Sequence, residues 1–347
     1  MIKTVRFFEL LDTLDVPVIT ALVILHDDQE FQASAPSQTI LPKTDQHLTR
    51  YQGRGVIQCI NHNTPIFQNA LCDKNLNDVD PILNELKELG TNFTSAVSIA
   101  CMKAEASINH QPLYMYLSSE GFVKPKLIID ITNQFSLVPL ISKPLFEQIR
   151  LAHDTLFILQ DILLEKRLSL ADPLLSHQDK IELILQSIEE AGLCLGRDMG
   201  IFADFTNCVL FTHNMYTYNN EVIDIPTYVE QRIDDLNSYP LVGMINPMHP
   251  RDILGQQYFQ SALTQQIKRQ VVISQPLVPG YEGTMSETLE TLAKRKSPII
   301  IKGESAFCTD FALGIQAPFI KFGNINKTDS YNRLLEIEYY ETKHLCA

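Results

Sequence analysis

Met199-Gly200-Ile201-Phe202-Ala203-Asp204-Phe205 is a short apolar run broken by a single carboxylate. Runs of the same kind recur at 240–245, 270–274, 298–302 and 319–322. Apolar runs this short, bounded by turn residues, are the mark of buried parallel strands. Helical patterns at 227–236 and 286–295 separate several of them. A further strand-like run, 126–131, opens this half of the chain. A long amphipathic stretch, 144–168, follows it, and then a helix with Ser176 as N-cap, Asp179 three residues on and Gly192 past its end. Strand and helix in alternation predict a (β/α) barrel.

The first third reads differently. Residues 4–11, 18–25 and 30–35 alternate like strands, and the breaks at 12–17 and His26-Asp27-Asp28 make them an antiparallel meander. A polar loop with Pro36, Pro42, Gly53 and Gly55 follows. Helices are expected from Asp80-Pro81, a favoured N-cap and N1 pair, and over Ser95–Ile108. The predicted fold class is therefore α/β with an α+β cap: a meander-plus-helices domain over 1–117, then a shortened, incomplete (β/α) barrel over 118–347.

Composition excludes more than it names. Of 347 residues, 45% are hydrophobic, ample for a packed core, and the formal charge is -13. A field of that sign disfavours nucleic acid and anionic membrane. No apolar run approaches the 18 or so residues of a membrane helix, and residues 1–11 lack the apolar segment and cleavage site of a signal peptide. The seven cysteines (59, 72, 101, 194, 208, 308 and 346) form no CxxC pair. That spacing argues against zinc and predicts reduced thiols in a cytoplasmic protein. His153 and Asp154 are neighbours on a helix and do not face each other. His213 and His249 fall near the expected barrel mouth without a ligand spacing to link them. No Walker loop, GxSxG or GxGxxG occurs.

Nine short segments, in order, resemble the enolase family. Leu11-Asp12-Thr13 with Pro17 resembles its LDSRGNP turn, and Ala35-Pro36-Ser37 the start of its VPSGAST loop. Tyr51-Gln52-Gly53-Arg54-Gly55-Val56 resembles YxGKGV, Val97–Ala104 resembles VSLAxAKA, and Pro112–Leu117 resembles PLYxYL. Tyr239–Val242 is similar to the start of YPIVSIEDP, Gly283–Thr288 to GTLSET, Ile320–Gly323 to IKTG, and Tyr331–Glu338 to YNQLLRIE.

The resemblance implies magnesium-assisted removal of a proton beside a carboxylate, with three barrel acids on the first ion and a lysine as base. The matching positions depart from that pattern. Asp204 matches the first metal acid. Ile245 stands at the second, and Ser274 lies in the nearest match to the third. Val278 stands where the base lysine belongs, five residues before Gly283. Ile40 replaces a mobile-loop serine, and the histidine and arginine of SHRSGET are absent from 299–305. Lys321 matches a substrate-binding lysine. Losing a positioned base and a metal together removes most of the rate enhancement such a site supplies.

These departures predict a catalytically inactive enolase-like protein serving as a binding, scaffold or regulatory subunit, with no cofactor. It is expected to pair with itself or with a true enolase. The alternative is an active phosphopyruvate hydratase with a rearranged site and bound magnesium; a different enzyme on the same barrel is a third reading. The weakened side of the barrel is expected to be shielded by association.

Overall fold

The computed structural model describes residues 1–344 except 13–14, 38, 47–48, 119–120, 173–174, 208, 219–220 and 325–327. Thr13 of the first family segment, Cys208 and Cys346 lie outside the described residues. The chain divides into two compact units. The first comprises 1–123, 277–296 and 301–317; the second comprises 124–276, 297–300 and 318–347. Two stretches from the expected barrel half thus pack with the N-terminal domain.

Unit 1 begins with the expected meander: β1 (Ile2–Leu11), β2 (Pro17–Leu25) and β3 (Glu30–Ser34) pair antiparallel in sequence order. Four helices follow: α1 (Ile57–Leu71), α2 (Val79–Glu85), α3 (Thr91–Ile108) and α4 (Leu113–Leu117). Polar patterning hides α1 in the sequence, yet it buries Ile60, Phe67 and Leu71. Phe7 of β1, Phe67 of α1 and Phe93 of α3 join sheet and helices. Phe7 meets Phe93 edge-on at 5.1 Å, and Phe67 stacks on Phe93 at 5.6 Å. Such pairs contribute about 0.5–1.5 kcal/mol each beyond area burial.

Unit 2 carries β4 (Lys126–Asp130), β5 (Phe135–Pro139), α5 (Leu145–Lys166), α6 (His177–Glu190) and β6 (Met199–Asp204). A small antiparallel sheet, β7 (Leu210–Thr212), β8 (Met215–Tyr218) and β9 (Glu221–Asp224), precedes α7 (Ile225–Ser238), β10 (Leu241–Ile245), α8 (Ile253–Gln266) and β11 (Val272–Ser274). The chain continues through α9 (Met285–Ala293), β12 (Ile300–Lys302), α10 (Ala306–Gly314), β13 (Phe319–Asn324) and α11 (Thr328–His344). The principal sheet has seven strands in the order β11-β10-β6-β5-β4-β13-β12. β5 runs antiparallel to both β4 and β6, while β6, β10 and β11 are mutually parallel, as are β4 and β13. This is the expected cap followed by an α/β barrel-like sheet, nearly closed.

Among the described residues the sheet falls one strand short of eight. Between β11 and β12 the chain at 275–277 contributes a single bridge, Leu277 with Ile301, and Lys302 N donates to Leu277 O at 2.8 Å. The hydroxyl of Ser274 donates to Pro298 O at 2.6 Å. The chain's own residues partner this weakened edge.

Register fixes what fills the interior. Ile128, Val138, Phe202, Ile245, Ile300 and Phe319 form one buried apolar cluster, with Phe202 edge-on to Phe319 at 5.8 Å. Gly243 lies opposite Phe202 across β10 and β6. A Cβ there would come within 2.4 Å of the Phe202 ring, so only glycine leaves room for it.

Candidate functional site

Side chains two apart on a strand share a face. Asp204 follows Phe202, Lys321 follows Phe319 and Asp130 follows Ile128, while Ser136 precedes Val138 on the reversed strand β5. The four polar groups therefore form a layer directly beyond the apolar cluster, toward the C-terminal ends of β4, β6 and β13. That end is where barrels of this class place their chemistry.

Lys321 is the centre of the layer. It is 2% exposed, so it is not a solvated strand-end lysine. Its Nζ hydrogen-bonds Asp130 Oδ1, reaches Ser136 Oγ at 3.3 Å, and stands 3.5 Å from Asp204 Oδ2. Ser136 Oγ also donates to Asp130 Oδ1 at 2.6 Å. The other oxygen of Asp204 accepts from Thr206 N at 2.9 Å and Thr206 Oγ1 at 2.5 Å. Asn246 donates its side-chain amide to Thr206 Oγ1 at 2.8 Å from a left-handed backbone, φ +48°, which asparagine tolerates better than most residues. One ammonium thus sits between two carboxylates, and both Asp204 oxygens are engaged. Burial makes such a group expensive to leave unpaired, because each charge has lost its water.

The ladder pairs the sequence-predicted positions. Ile245 of β10 lies opposite Asp204 on one side and opposite Ser274 on the other. The three positions therefore stand in register on adjacent strands. Ile245 is fully buried in the apolar cluster, and the Ser274 hydroxyl is committed to Pro298 O. Among the described residues, no three His, Cys, Asp or Glu side chains converge where they could hold a metal ion. A divalent cation of the magnesium type needs oxygen donors in near-octahedral order, and an isoleucine beside a lysine-paired aspartate does not supply them. Val278 belongs to unit 1, half-buried, and its carbonyl accepts from Tyr281 N at 3.1 Å. Ile40, also of unit 1, is half exposed and its amide donates to Tyr281 O at 2.9 Å.

Asp130, Ser136, Thr206 and Asn246 were not singled out by the sequence reading. Asp130 ends a predicted strand, as Asp204 does, and that shared placement was the available signal. His213 is exposed in a turn, while His249 stacks on Phe211 at 5.5 Å and accepts from Arg251 N at 3.2 Å. A second buried polar group lies behind Phe205. Arg232 is 2% exposed, packs on the rings of Phe205, Tyr218 and Tyr228 at 4.5–4.7 Å, and pairs with Asp235 at 2.9 Å. His177 hydrogen-bonds Tyr218 OH at 2.7 Å and lies 3.6 Å from Asp235. Burial, reinforced by the Arg232 and Lys180 charges, holds the His177 imidazole down at about 3.

Comparison with known proteins agrees with the fold. The family model described as "Enolase, N-terminal domain" matches residues 2–117. The enolase of Helicobacter pylori strain HPAG1 is 27% identical over 97% of this chain and 96% of its own length. The enolases of Helicobacter acinonychis and Sulfurimonas denitrificans are each 26% identical with the same coverage. The alignment with the H. acinonychis protein runs over 408 positions against a chain of 347, so that relative carries residues with no counterpart here. No helix among the described residues is long and apolar enough to cross a membrane.

Proposed function

We propose that the chain, similar to enolases along nearly its whole length, is a catalytically inactive member of that family serving as a binding, scaffold or regulatory subunit. One observation carries the reading: the ammonium of Lys321 lies between Asp130 and Asp204 while Ile245 fills the neighbouring position of the same ring. In this reading the tethered ammonium supplies the positive charge that a free cation would supply. It stabilises the two carboxylates without offering an open coordination position to a substrate or a water, and catalysis by a metal needs that open position.

No base lysine is expected at Val278, and Lys321, held by two carboxylates, is not free to bind an anionic substrate. The protein acts through its surface, as a homodimer or as the partner of a true enolase in the cytoplasm. Support for the alternative, a working phosphopyruvate hydratase, is the length of the similarity together with retention of Asp204 and Lys321. Calorimetry with magnesium at millimolar concentration separates the two. Inactivity predicts no heat of binding, whereas saturable binding abolished by Asp204→Ala would favour the hydratase. Mass photometry at micromolar concentration tests the pairing, with a monomer as the contrary result.

A further inference from the structure

A cavity of about 280 Å³ opens beside the C-terminal ends of β4 and β13, within unit 2. One wall is a face of α5 formed by His153, Leu156, Gln160 and Leu163, positions that recur at helical spacing. Thr132, which follows β4, and Asn324, which ends β13, close the other side. This face of α5 therefore lines a void rather than a packed core.

The polar groups at the cavity are unevenly committed. Thr132 Oγ1 already accepts from the amides of Gln134 at 3.0 Å and Phe135 at 3.1 Å. The His153 ring nitrogens and the Gln160 amide make no hydrogen bond in the described structure. Asp154, the sequence neighbour of His153, is drawn off to Arg150 at 2.7 Å. His153 instead meets the exposed ring of Phe157 edge-on at 4.4 Å. Among the described residues, no lysine, arginine, aspartate or glutamate lines the cavity.

We propose that this cavity is a binding site for a small uncharged aromatic molecule bearing a hydroxyl or ring N–H. Leucine walls and the His153–Phe157 pair suit a flat ring. The two uncommitted polar groups suit one hydrogen-bonding substituent, in the way ligand sites combine apolar walls with a few placed polar groups. An ion entering would lose its water with no opposite charge among the described lining residues to meet it. The volume lies just below the roughly 300–1,000 Å³ of drug-sized sites, which sets a limit of one or two rings. The inference stands whether or not the barrel is catalytically active.

Phenol and indole are the probes, titrated into the full chain and followed by side-chain NMR of His153, Leu156 and Leu163. Saturable shifts are expected, with Kd on the order of a millimolar for ligands this small. Benzoate and benzylamine should bind at least about tenfold more weakly, since each carries a charge the lining does not answer. Leu163→Trp should fill the cavity and weaken phenol by a similar factor. An unchanged circular-dichroism melt would show that this variant folds, and Leu156→Phe serves as the second filling variant if it does not. The proposal is overturned by shifts that do not saturate, by charged probes binding as well as phenol, or by folded filled variants that retain phenol affinity.

Discussion

The Nζ of Lys321 lies 3.5 Å from Asp204 Oδ2 and hydrogen-bonds Asp130, so two strand-end carboxylates in the barrel interior share one buried ammonium. The arrangement ties β13 to both β4 and β6 through charge rather than through backbone. Lys321→Met removes the ammonium that Asp130 and Asp204 share. Urea unfolding should show a loss of about 3–5 kcal/mol, the usual cost of breaking a buried pair from one side. The double variant Lys321→Met with Asp204→Asn should lose less than the two single losses added together. Strict additivity would show that the two groups do not interact.

Ile245→Glu places a carboxylate at the second metal position that the family resemblance assigns. Here it enters an apolar cluster with Phe202 and Ile300 for neighbours. The variant should be destabilised by several kcal/mol, and magnesium should not restore its melting temperature. Recovery of stability on adding magnesium would mean that the ring around Asp204 can still open to an ion.

The pH dependence of stability follows from His177. Its imidazole is held at about 3 in the folded chain, against an ordinary value near 6.5, chiefly by burial. Between those values the unfolded chain binds a proton that the folded chain refuses. Stability is therefore full above pH 6.5 and is lost as pH falls toward 3, by up to about 1.4 kcal/mol per unit from this one group. Burial raises Asp235, with Arg232 opposing, and that contribution has the opposite sign. Comparison with His177→Gln isolates the histidine, because Asp235 is present in both chains. Chemical denaturation at pH 7 and pH 5 should show a smaller loss in the variant, and equal losses would contradict the assignment.

Meander, α3, the strand runs and the capping box at the start of α6 were legible because each depends on local pattern. Ser176 with Asp179, for example, satisfies both halves of its box in the structure. The antiparallel sense of β5 was not legible, since Phe135–Pro139 is buried on both faces and its direction depends on partners distant in sequence. Sheet β7–β9 leaves no strand pattern in the sequence because its strands are three or four residues long. Asp204 and Lys321 could be picked out from family segments, whereas their shared contact through Asp130 required the register of β4 against β13. The assignment of 277–296 and 301–317 to unit 1 follows from tertiary packing. Lys87 pairs with Glu287 at 2.5 Å and Asp80 caps Ser286 at 2.9 Å, partners about two hundred residues apart.

Strands β11 and β12 end the sheet on its two sides, and among the described residues one ladder bridge, Leu277 with Ile301, lies between them. Edges held by so few bonds open at lower free energy than central strands. Native-state hydrogen exchange should therefore release the amides of 272–274 and 300–302 well before those of β5 and β6. Uniform protection across the sheet would indicate that this edge is as firmly held as the centre.

Turnover of 2-phosphoglycerate to phosphoenolpyruvate, measured with purified chain and millimolar magnesium, tests the central claim most directly. The lysine between Asp130 and Asp204, with Ile245 beside it, predicts no product above a protein-free blank. A turnover of about 1 s⁻¹, the low end of ordinary enzymes, that disappears in Asp204→Ala would contradict the account.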